Sequence, residues 1–461
     1  MGRTSMGHVL LLATLSGATP ARVPPADYEH VALTSPSSSL AVKVYLPYLP
    51  PTAPSDRPSF YTSSRFDWGS MVGDIRIGSS HVLCAADYWR APHDPAWPEA
   101  GVGLAGEFGC GDDGATCGAG WGAPGGQVPL GNGVLGYEEA GPGGVFLKLG
   151  VGALKKGSCA GCDPASADDL YRFNSPYAFA EVPRWHVNRT GAHSLELSHS
   201  AALPGGRWAY ALRRSVELLD APDAEASADD TAGRVRETWT LTNEGSETFA
   251  SPYYSHNFFN LDHAPTGPGW RLQLQGVRAE KYTDGNISWA KPLAKYAAVG
   301  ARGSGEVGAQ SVLWAVDVVA GERLKANFDG PACAFAPSGA FVLSHGALSM
   351  HSTQCLRIPA FEQACPSPSA VAAAPPASCC LGGEGEGKGC CQPPLFAFNL
   401  YAEAATLSPE PVVRVELRPG QKATWSRTLV VSHSGDDRVE PLLAAAPARA
   451  ASAAAGAARA A

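Results

Sequence analysis

The sequence is short of charged residues and contains no long hydrophobic run. Only 17% of its 461 residues are charged, and the formal net charge is -8. The chain therefore lacks the basic excess with which proteins hold nucleic-acid phosphates. No stretch beyond the amino terminus approaches the ~18 continuous apolar residues of a membrane-spanning helix. Hydrophobic residues still make up 45%, so the composition predicts a globular protein with a sizeable core, no nucleic-acid partner and no membrane span.

The chain also lacks the apolar repeat of amphipathic helices, because no 3.6-residue pattern continues for three turns without Gly or Pro. It alternates with a period of two instead. Within residues 234–242, Val235, Trp239 and Leu241 would share one face, and the threonines between them the other. The segments 195–203 and 207–219 flank a Pro-Gly-Gly turn and predict a hairpin.

These patterns predict an all-β fold, a large antiparallel β-sandwich with loop insertions. The count of 52 Gly and 38 Pro suits many short strands joined by turns. We divide the chain into a possible signal peptide (1–18), an amino-terminal extension with an edge strand at Leu40–Leu46 (19–58), a sandwich domain (59–433) with surface insertions at 109–131 and 355–394, and an Ala-rich tail expected to be disordered (434–461).

The amino terminus predicts a secreted protein. One positive charge at Arg3 precedes the apolar run Val9–Leu15 and the small residues Ser16–Ala18, as in a minimal secretory signal. Two N-glycosylation sequons, at Asn188 and Asn286, agree with that compartment. Without a functional leader the protein would be cytoplasmic.

The chain has 12 cysteines, and the closely spaced ones lie in glycine- and proline-rich segments. Cys159 and Cys162 form a Cys-x-x-Cys pair, and two Cys-Cys doublets follow at residues 379–380 and 390–391. Disulfides that close loops, free thiols and a metal site are three possible uses. We favour disulfides, because a redox Cys-x-x-Cys requires a βαβ context and zinc requires a tetrahedral set.

A histidine among aromatic residues marks the most informative segment. Residues 254–262 read Tyr-Ser-His-Asn-Phe-Phe-Asn-Leu-Asp, with the histidine at position 256. The segment resembles the Asn-His-Ser/Thr-Tyr-Phe-Asn-Leu stretch of aldose 1-epimerases (galactose mutarotases). The resemblance implies the galactose mutarotase-like sandwich and a role for His256 as the catalytic acid.

The carboxyl-terminal part resembles the same family. Phe398–Glu403 is followed by Val412–Leu417, an Arg-Pro-Gly-Gln turn at 418–421 and Thr424–Val431. The epimerases end similarly, with a strand that carries the catalytic Glu and a Leu-Arg-Pro-Gly-Glu turn before the last strand. The resemblance therefore implies that Glu403 is the general base.

The chain departs from the family pattern in several places. Ala404 and Ala405 stand where the family has Thr-Gln, Ser255 stands where it has Asn, and the upstream Asn-His-Leu-His-Gly segment has no counterpart. Other segments are similar to a poorly characterised branch of the superfamily: Arg65–Gly69, Gly106–Phe108, Gly136–Ala140 and Phe146–Gly152.

An acid and a base suffice to interconvert anomers. A carboxylate takes the proton of the anomeric hydroxyl while a protonated histidine gives one to the ring oxygen, and the ring opens. The ring then closes on the other face of the carbonyl, which gives the other anomer. A carboxylate beside His256 would favour its charged form, and Asp262 or Glu107 are candidates. No metal or other cofactor is required.

Six residues are candidates to hold the sugar, because aromatic faces stack on pyranose rings and charged groups bind hydroxyls: Arg65, Trp68, His93, Glu107, Tyr254 and Asp262. Four of them also have a structural interpretation. Trp68 and Tyr254 could be core residues, Arg65 could pair with Asp67 at the surface, and Glu107 could be a solvated turn residue.

Two functions of different classes remain. The first is an aldose 1-epimerase-like isomerase that acts on a carbohydrate. The second is a carbohydrate-binding protein of the same fold without turnover. A glycoside hydrolase fits less well, because the best pair is Glu with His rather than two carboxylates. We expect a monomer in either case.

Thiol titration tests the cysteine interpretation. If the leader directs secretion, the protein unfolded without reductant should show few free thiols, since each closed loop adds ~2 to 4 kcal/mol of stability. Nearly 12 reactive thiols would contradict both the disulfides and secretion.

Overall fold

A computed structural model shows the chain as a stack of antiparallel sheets. The residues it describes are 28–47, 59–79, 81–85, 93–109, 133–166, 171–173, 175–220, 231–264, 270–274, 296–298, 313–315, 323–327, 341–345, 348–357, 397–403 and 406–433.

Strands account for nearly all regular structure in these ranges. The first eleven are β1 (His30–Thr34), β2 (Leu40–Tyr45), β3 (Val72–Ile77), β4 (His81–Val82), β5 (Gly103–Phe108), β6 (Val134–Leu135), β7 (Val145–Lys148), β8 (Gly152–Lys155), β9 (Trp185–Asn188), β10 (Ser194–Ala202) and β11 (Ala209–Leu219). The others are β12 (Thr231–Asn243), β13 (Phe249–Phe258), β14 (Trp270–Leu274), β15 (Tyr296–Ala298), β16 (Leu313–Ala315), β17 (Arg323–Asn327), β18 (Phe341–His345), β19 (Leu348–Arg357), β20 (Ala397–Glu403), β21 (Thr406–Leu417) and β22 (Lys422–His433). Two short 3-10 helices span Trp68–Ser70 and Leu261–His263.

Two large sheets form the sandwich. One has eight strands in the order β14-β18-β19-β22-β12-β11-β10-β9, and the other has five in the order β17-β20-β21-β13-β5. They pack face to face through aromatic rings: Tyr253 of β13 lies 5.3 Å from Trp239 of β12 and 5.1 Å from Trp425 of β22, between ring centroids. The all-β antiparallel sandwich expected from the sequence is confirmed.

The expected alternation and hairpin are present. Val235, Trp239 and Leu241 are buried on one face of β12, and the threonines between them are half-buried. β10 and β11 pair antiparallel around the Pro-Gly-Gly turn.

Some boundaries differ from the sequence interpretation. The strand expected at the edge, now β2, pairs with β1 on one side and β3 on the other, so the edge strands of this sheet are β1 and β4. β19 continues to Arg357, into the segment assigned to the second insertion. Residues 1–18, most of the first insertion, the rest of the second and the tail at 434–461 lie outside the described residues.

One disulfide lies within the described chain. Cys159 is bonded to Cys162, which agrees with the disulfide interpretation of that pair, while Cys84 is a buried free thiol. Among the described residues, no helix is long and apolar enough to cross a membrane.

A charged cluster lies inside the sandwich. Glu237 points from β12 into the core and is fully buried. Its carboxylate accepts hydrogen bonds from Arg214 of β11 and from Arg427 of β22. Both guanidinium groups also lie over the ring of Trp239, at 5.1 and 5.7 Å from its centroid. The carboxylate thus offsets part of the cost of burying two cations.

This cluster allows a stability test. Glu237→Gln should lower the free energy of unfolding by about 3 to 5 kcal/mol, because it leaves two buried arginines without their counter-charge. Glu217→Gln is the matched control on the neighbouring strand: its partner Arg236 is 3.6 Å away at the surface, and the loss should stay below about 1 kcal/mol. Urea unfolding followed by circular dichroism measures both, and equal losses would show that the buried cluster has no special role.

Candidate functional site

β13 presents different side chains on its two faces. Because side chains alternate along a strand, Tyr253 faces the eight-stranded sheet, whereas Tyr254, His256 and Phe258 lie on the opposite face. β5 pairs with this strand, and the register sets Glu107 beside Tyr254. The candidate site is therefore built on the face of the five-stranded sheet that points away from the sandwich core.

His256 lies in a polar contact group with two residues of β21. Its Nδ1 is 3.3 Å from Oγ of Ser408, and its Nε2 is 3.4 Å from Oε1 of Glu410. Ser408 also donates a hydrogen bond of 3.0 Å to Oε1 of Glu410. All three side chains are buried, and His256 is 6% exposed.

The neighbours of His256 on its own face are aromatic. Its ring stacks on Phe258 with the centroids 4.3 Å apart, and the edge contact with Phe66 is 5.6 Å. The imidazole is therefore largely shielded from water, and its polar contacts with β21 are made inside the protein. In such surroundings a neighbouring carboxylate acts with little screening.

Two prolines interrupt the sheet beside this histidine. β13 and β21 pair from Phe249 to Tyr254 and again at Phe259, which bridges to Leu407. Pro409 and Pro411 occupy β21 between these points and have no backbone N–H to donate. The ladder is consequently broken along the stretch that carries His256.

A second buried group lies next to Tyr254. Arg65 donates from Nε to both carboxylate oxygens of Glu107, at 3.2 and 3.1 Å, and Lys148 Nζ is 3.5 Å from Oε1. Tyr254 donates its hydroxyl proton to the same carboxylate. Glu107 and Lys148 are fully buried, and Arg65 is 5% exposed. Arg65 also reaches the partly exposed Glu99 at 3.1 Å.

Electrostatics keep Arg65 charged and Tyr254 protonated. Burial opposes the charge of Arg65, but the carboxylate of Glu107 overcomes that effect, and the pKa of Arg65 is raised well above its ordinary value. Burial, reinforced by the negative charge of Glu107, raises the pKa of Tyr254. Tyr254 therefore remains a phenol and a hydrogen-bond donor at neutral pH.

A glycine positions the loop that carries Arg65. Gly106 of β5 accepts a hydrogen bond from the Asp67 N–H at 2.9 Å, and its own N–H is bonded to Oγ of Ser70 at 2.6 Å. A Cβ at Gly106 would lie 2.1 Å from the hydroxyl of Tyr253. Glycine thus suits this position, because the side chain of Tyr253 on β13 occupies the space that a Cβ would need.

An aromatic shell surrounds the Lys148 and Tyr254 side of the site. Tyr171 and Tyr177 stack with centroids 5.4 Å apart, and Lys148 Nζ lies 5.1 Å from the ring of Phe173. The buried cluster that also includes Tyr254 contains the members of this shell: Tyr137, Phe146, Tyr171, Phe173 and Tyr177.

The remaining sequence candidates lie elsewhere or make structural contacts. Trp68 is buried and donates from Nε1 to the carbonyl of Ser63 at 2.7 Å. His93 stacks on Phe60 with centroids 4.1 Å apart and is bonded to its carbonyl oxygen. These contacts match the core alternative for Trp68 and give His93 a packing role.

Asp262 lies just after β13 and ties this part of the chain to β4. Its carboxylate accepts from the Val82 N–H and contacts Nδ1 of His81, both at 2.9 Å. Its φ of 49° is in the left-handed region, which costs energy for a residue other than glycine.

The carboxylate expected beside His256 was Asp262 or Glu107. That expectation is wrong, because Asp262 pairs with His81, Glu107 pairs with Arg65, and Glu410 occupies the place.

Glu403 is the last residue of β20, and its side chain lies outside the described part of the structure. Its Cα pairs with Thr406, four residues along β21 from Glu410. At about 3.4 Å per residue, roughly 14 Å of strand separates these two rows. Glu403 of β20 and His256 of β13 thus belong to the same five-stranded sheet, but they do not lie in adjacent rows of it.

Sequence reasoning missed Ser408, Glu410 and Lys148. The Ser-Pro-Glu-Pro run at 408–411 was a usable signal, because prolines are rare in strands with neighbours on both sides. Lys148 stands in the otherwise apolar run Phe146–Val151, where a lone charge needs a partner if it is buried.

No protein-family model and no curated protein matches the chain. Solved structures resemble it. A protein from Synechocystis sp. PCC 6803 is 11% identical with a TM-score of 0.39, and the match covers 89% of this chain and 98% of the other. A galactose mutarotase related enzyme from Lactobacillus acidophilus is 9% identical (TM-score 0.39, coverage 88% and 98%). A galactose mutarotase-like protein from Lactobacillus casei ATCC 334 is 9% identical (TM-score 0.36, coverage 87% and 99%). These values describe a distant resemblance in fold and say nothing of activity.

Arg65 can be tested as the counter-charge of Glu107. Arg65→Met should lower the free energy of unfolding by about 3 to 5 kcal/mol, since it leaves the fully buried carboxylate without its main partner. Arg76→Met is the control, because Arg76 is exposed on β3 and should change stability by less than about 0.5 kcal/mol. Thermal unfolding by calorimetry compares the two. An unchanged midpoint in Arg65→Met would mean that Glu107 does not depend on this cation.

Proposed function

We propose that the chain is an aldose 1-epimerase-like isomerase, which interconverts the anomers of a sugar with His256 as acid and Glu403 as base. The observation that carries the proposal is the contact group of His256, Ser408 and Glu410, buried and 3.3 to 3.4 Å apart around the imidazole. A carboxylate at that distance stabilises the protonated ring, which is the form that a general acid needs.

Glu410 is a poor candidate for the base. It lies in ion-pair contact with His256, so the two groups cannot stand on opposite sides of a sugar. The base must come from a carboxylate about one sugar further away. The sequence resemblance assigns that role to Glu403, whose row on the sheet lies four residues along β21 from Glu410.

The proposed reaction conserves atoms and charge. The base removes the proton of the anomeric hydroxyl, the C1–O5 bond breaks as the carbonyl forms, and His256 gives its proton to the ring oxygen. After rotation about the C1–C2 bond, the ring oxygen attacks the other face of the carbonyl. His256 recovers its proton from that oxygen, and the base returns its own to the new anomeric hydroxyl.

A second candidate is carbohydrate binding without turnover. The absence of the Asn-His-Leu-His-Gly segment favours it, because the family uses that segment to hold its substrate. The same face of the sheet would then hold a sugar without acting on it.

Polarimetry with anomerically pure aldoses and uronates tests the proposal. The wild-type protein should accelerate the mutarotation of at least one sugar. His256→Asn and Glu403→Gln should each lose ~10²- to 10⁴-fold in turnover while the sugar affinity stays within a few fold. Glu416→Gln is the control, because Glu416 is exposed near the end of β21, and it should retain full turnover.

The outcomes separate the two candidates. Sugar binding without acceleration by the wild type would establish the binding function in place of the enzyme. Normal turnover by Glu403→Gln would remove Glu403 from the mechanism.

A further inference from the structure

The sequon Asn188-Arg189-Thr190 lies at the end of β9 and in the turn that follows it. All three residues are exposed. The residue between the asparagine and the threonine is not proline, as an N-glycosylation acceptor requires. The acceptor amide and the threonine hydroxyl therefore belong to residues at the surface of the folded chain.

Other asparagines in the described part of the chain differ in both respects. Three of them are buried, and none of the three has Ser or Thr two positions later: Asn243, Asn257 and Asn260. A glycan on a buried side chain would have no room inside the sandwich. A glycan on Asn188 can extend into solvent, so the acceptor sequence and the accessible position coincide there.

The register of β9 with β10 sets the direction of the Asn188 side chain. Asn188 pairs with Glu196, and directly paired residues of an antiparallel ladder lie on the same face of the sheet. Glu196 forms an ion pair with Arg213, an exposed residue of β11. Leu195 and Leu197, on either side of Glu196, are fully buried. Asn188 therefore lies on the polar face of the eight-stranded sheet, away from the core.

β9 is also an end strand of that sheet. Within the described residues it pairs with β10 alone, so its outer edge has no neighbouring strand there. Two exposed apolar side chains lie on β9 or just before it, Val182 at 46% and Val187 at 41% exposure. Open backbone groups beside apolar side chains form an edge to which a strand of another chain can add.

We propose that Asn188 is N-glycosylated and that the attached oligosaccharide covers the open edge of β9. An N-linked glycan is bulky and solubilising. Attached at the end of β9, it lies next to Val187 and to the outward backbone groups of the strand. It opposes the addition of a second strand, as charged residues and prolines do on other edge strands. The proposal does not depend on the sugar reaction proposed above.

The modification needs one further reactant, a lipid diphosphate-linked oligosaccharide. Nδ2 of Asn188 forms a bond to C1 of the first sugar, and the C1–O bond to the diphosphate breaks. The electron pair of that bond leaves with the lipid diphosphate, and Nδ2 loses one of its two protons. The transfer takes place in the secretory pathway, to which the amino-terminal segment is expected to direct the chain.

Mass spectrometry of the tryptic peptide 185–189 tests the modification. The full chain is expressed with its own amino terminus in eukaryotic cells, and the wild-type peptide should carry an oligosaccharide. Thr190→Ser keeps the acceptor sequence and should keep the glycan, whereas Thr190→Ala should lose it. The serine also retains the hydroxyl that Thr190 donates to Oγ of Ser194 at 2.9 Å.

Either of two results would overturn the modification. One is an unmodified Asn188 in the wild type, whether or not the chain is exported. The other is a glycan that remains on this peptide in Thr190→Ala, since the sequon would then not direct it.

Light scattering of the secreted protein tests the role of the glycan. Asn188→Gln should self-associate several-fold faster than the wild type, because the edge of β9 is then uncovered. Asn286→Gln, at the other sequon of the chain, is the control and should associate as slowly as the wild type. Val187→Lys added to Asn188→Gln should restore the slow rate, since a lysine on an edge strand opposes pairing.

Circular dichroism confirms that each variant is folded. If folded Asn188→Gln associates no faster than the wild type, the glycan does not protect the edge, and that part of the proposal is overturned. Faster association that Val187→Lys leaves uncorrected would contradict the assignment of the contact to β9.

Discussion

The two-residue alternation of β13 is the constraint on which the site depends. Tyr253 and Asn257 face the core, and Tyr254 and His256 face away from it. A slip of one residue would exchange these sets. Buried polar contacts oppose such a slip, because Asn257 accepts a hydrogen bond from Arg427 at 2.8 Å and donates to the carbonyl of Pro409. The charged core cluster therefore helps to fix the strand that carries the histidine.

Two fully buried carboxylates lie on opposite sides of the five-stranded sheet. Glu237 is matched by two arginines in the core, and Glu107 by Arg65 and Lys148 on the other side of β13. Apolar residues of similar volume often give equal or greater stability than a buried ion pair. Such pairs instead favour one structure, because a buried carboxylate can reach its fixed partners in only one arrangement of the surrounding strands. We interpret both groups as determinants of geometry more than of stability.

The fold could be predicted from patterns among neighbouring residues. The site could be predicted only in part, because it depends on contacts between residues far apart in the sequence. Alternation in β12 and the turn between β10 and β11 were readable because each depends on neighbours in sequence. Arg65, Glu107 and Tyr254 were chosen one by one, and the structure brings them together through 42 and 147 residues of separation. Their mutual contacts depend on sheet register, which no local pattern encodes. Glu410 was missed for the same reason: it meets His256 only because β21 returns beside β13.

The missing ladder bonds at Pro409 and Pro411 also give the sheet an uneven stiffness. From Phe249 to Tyr254 the strands β13 and β21 are joined by backbone hydrogen bonds, and separating them there requires breaking those bonds. Beyond that point the next backbone hydrogen bonds between these strands are those of Phe259 with Leu407. Backbone bonds thus hold the two strands on both sides of the histidine, and the short stretch between them, joined through side chains, is where they can move apart with the fewest backbone bonds broken.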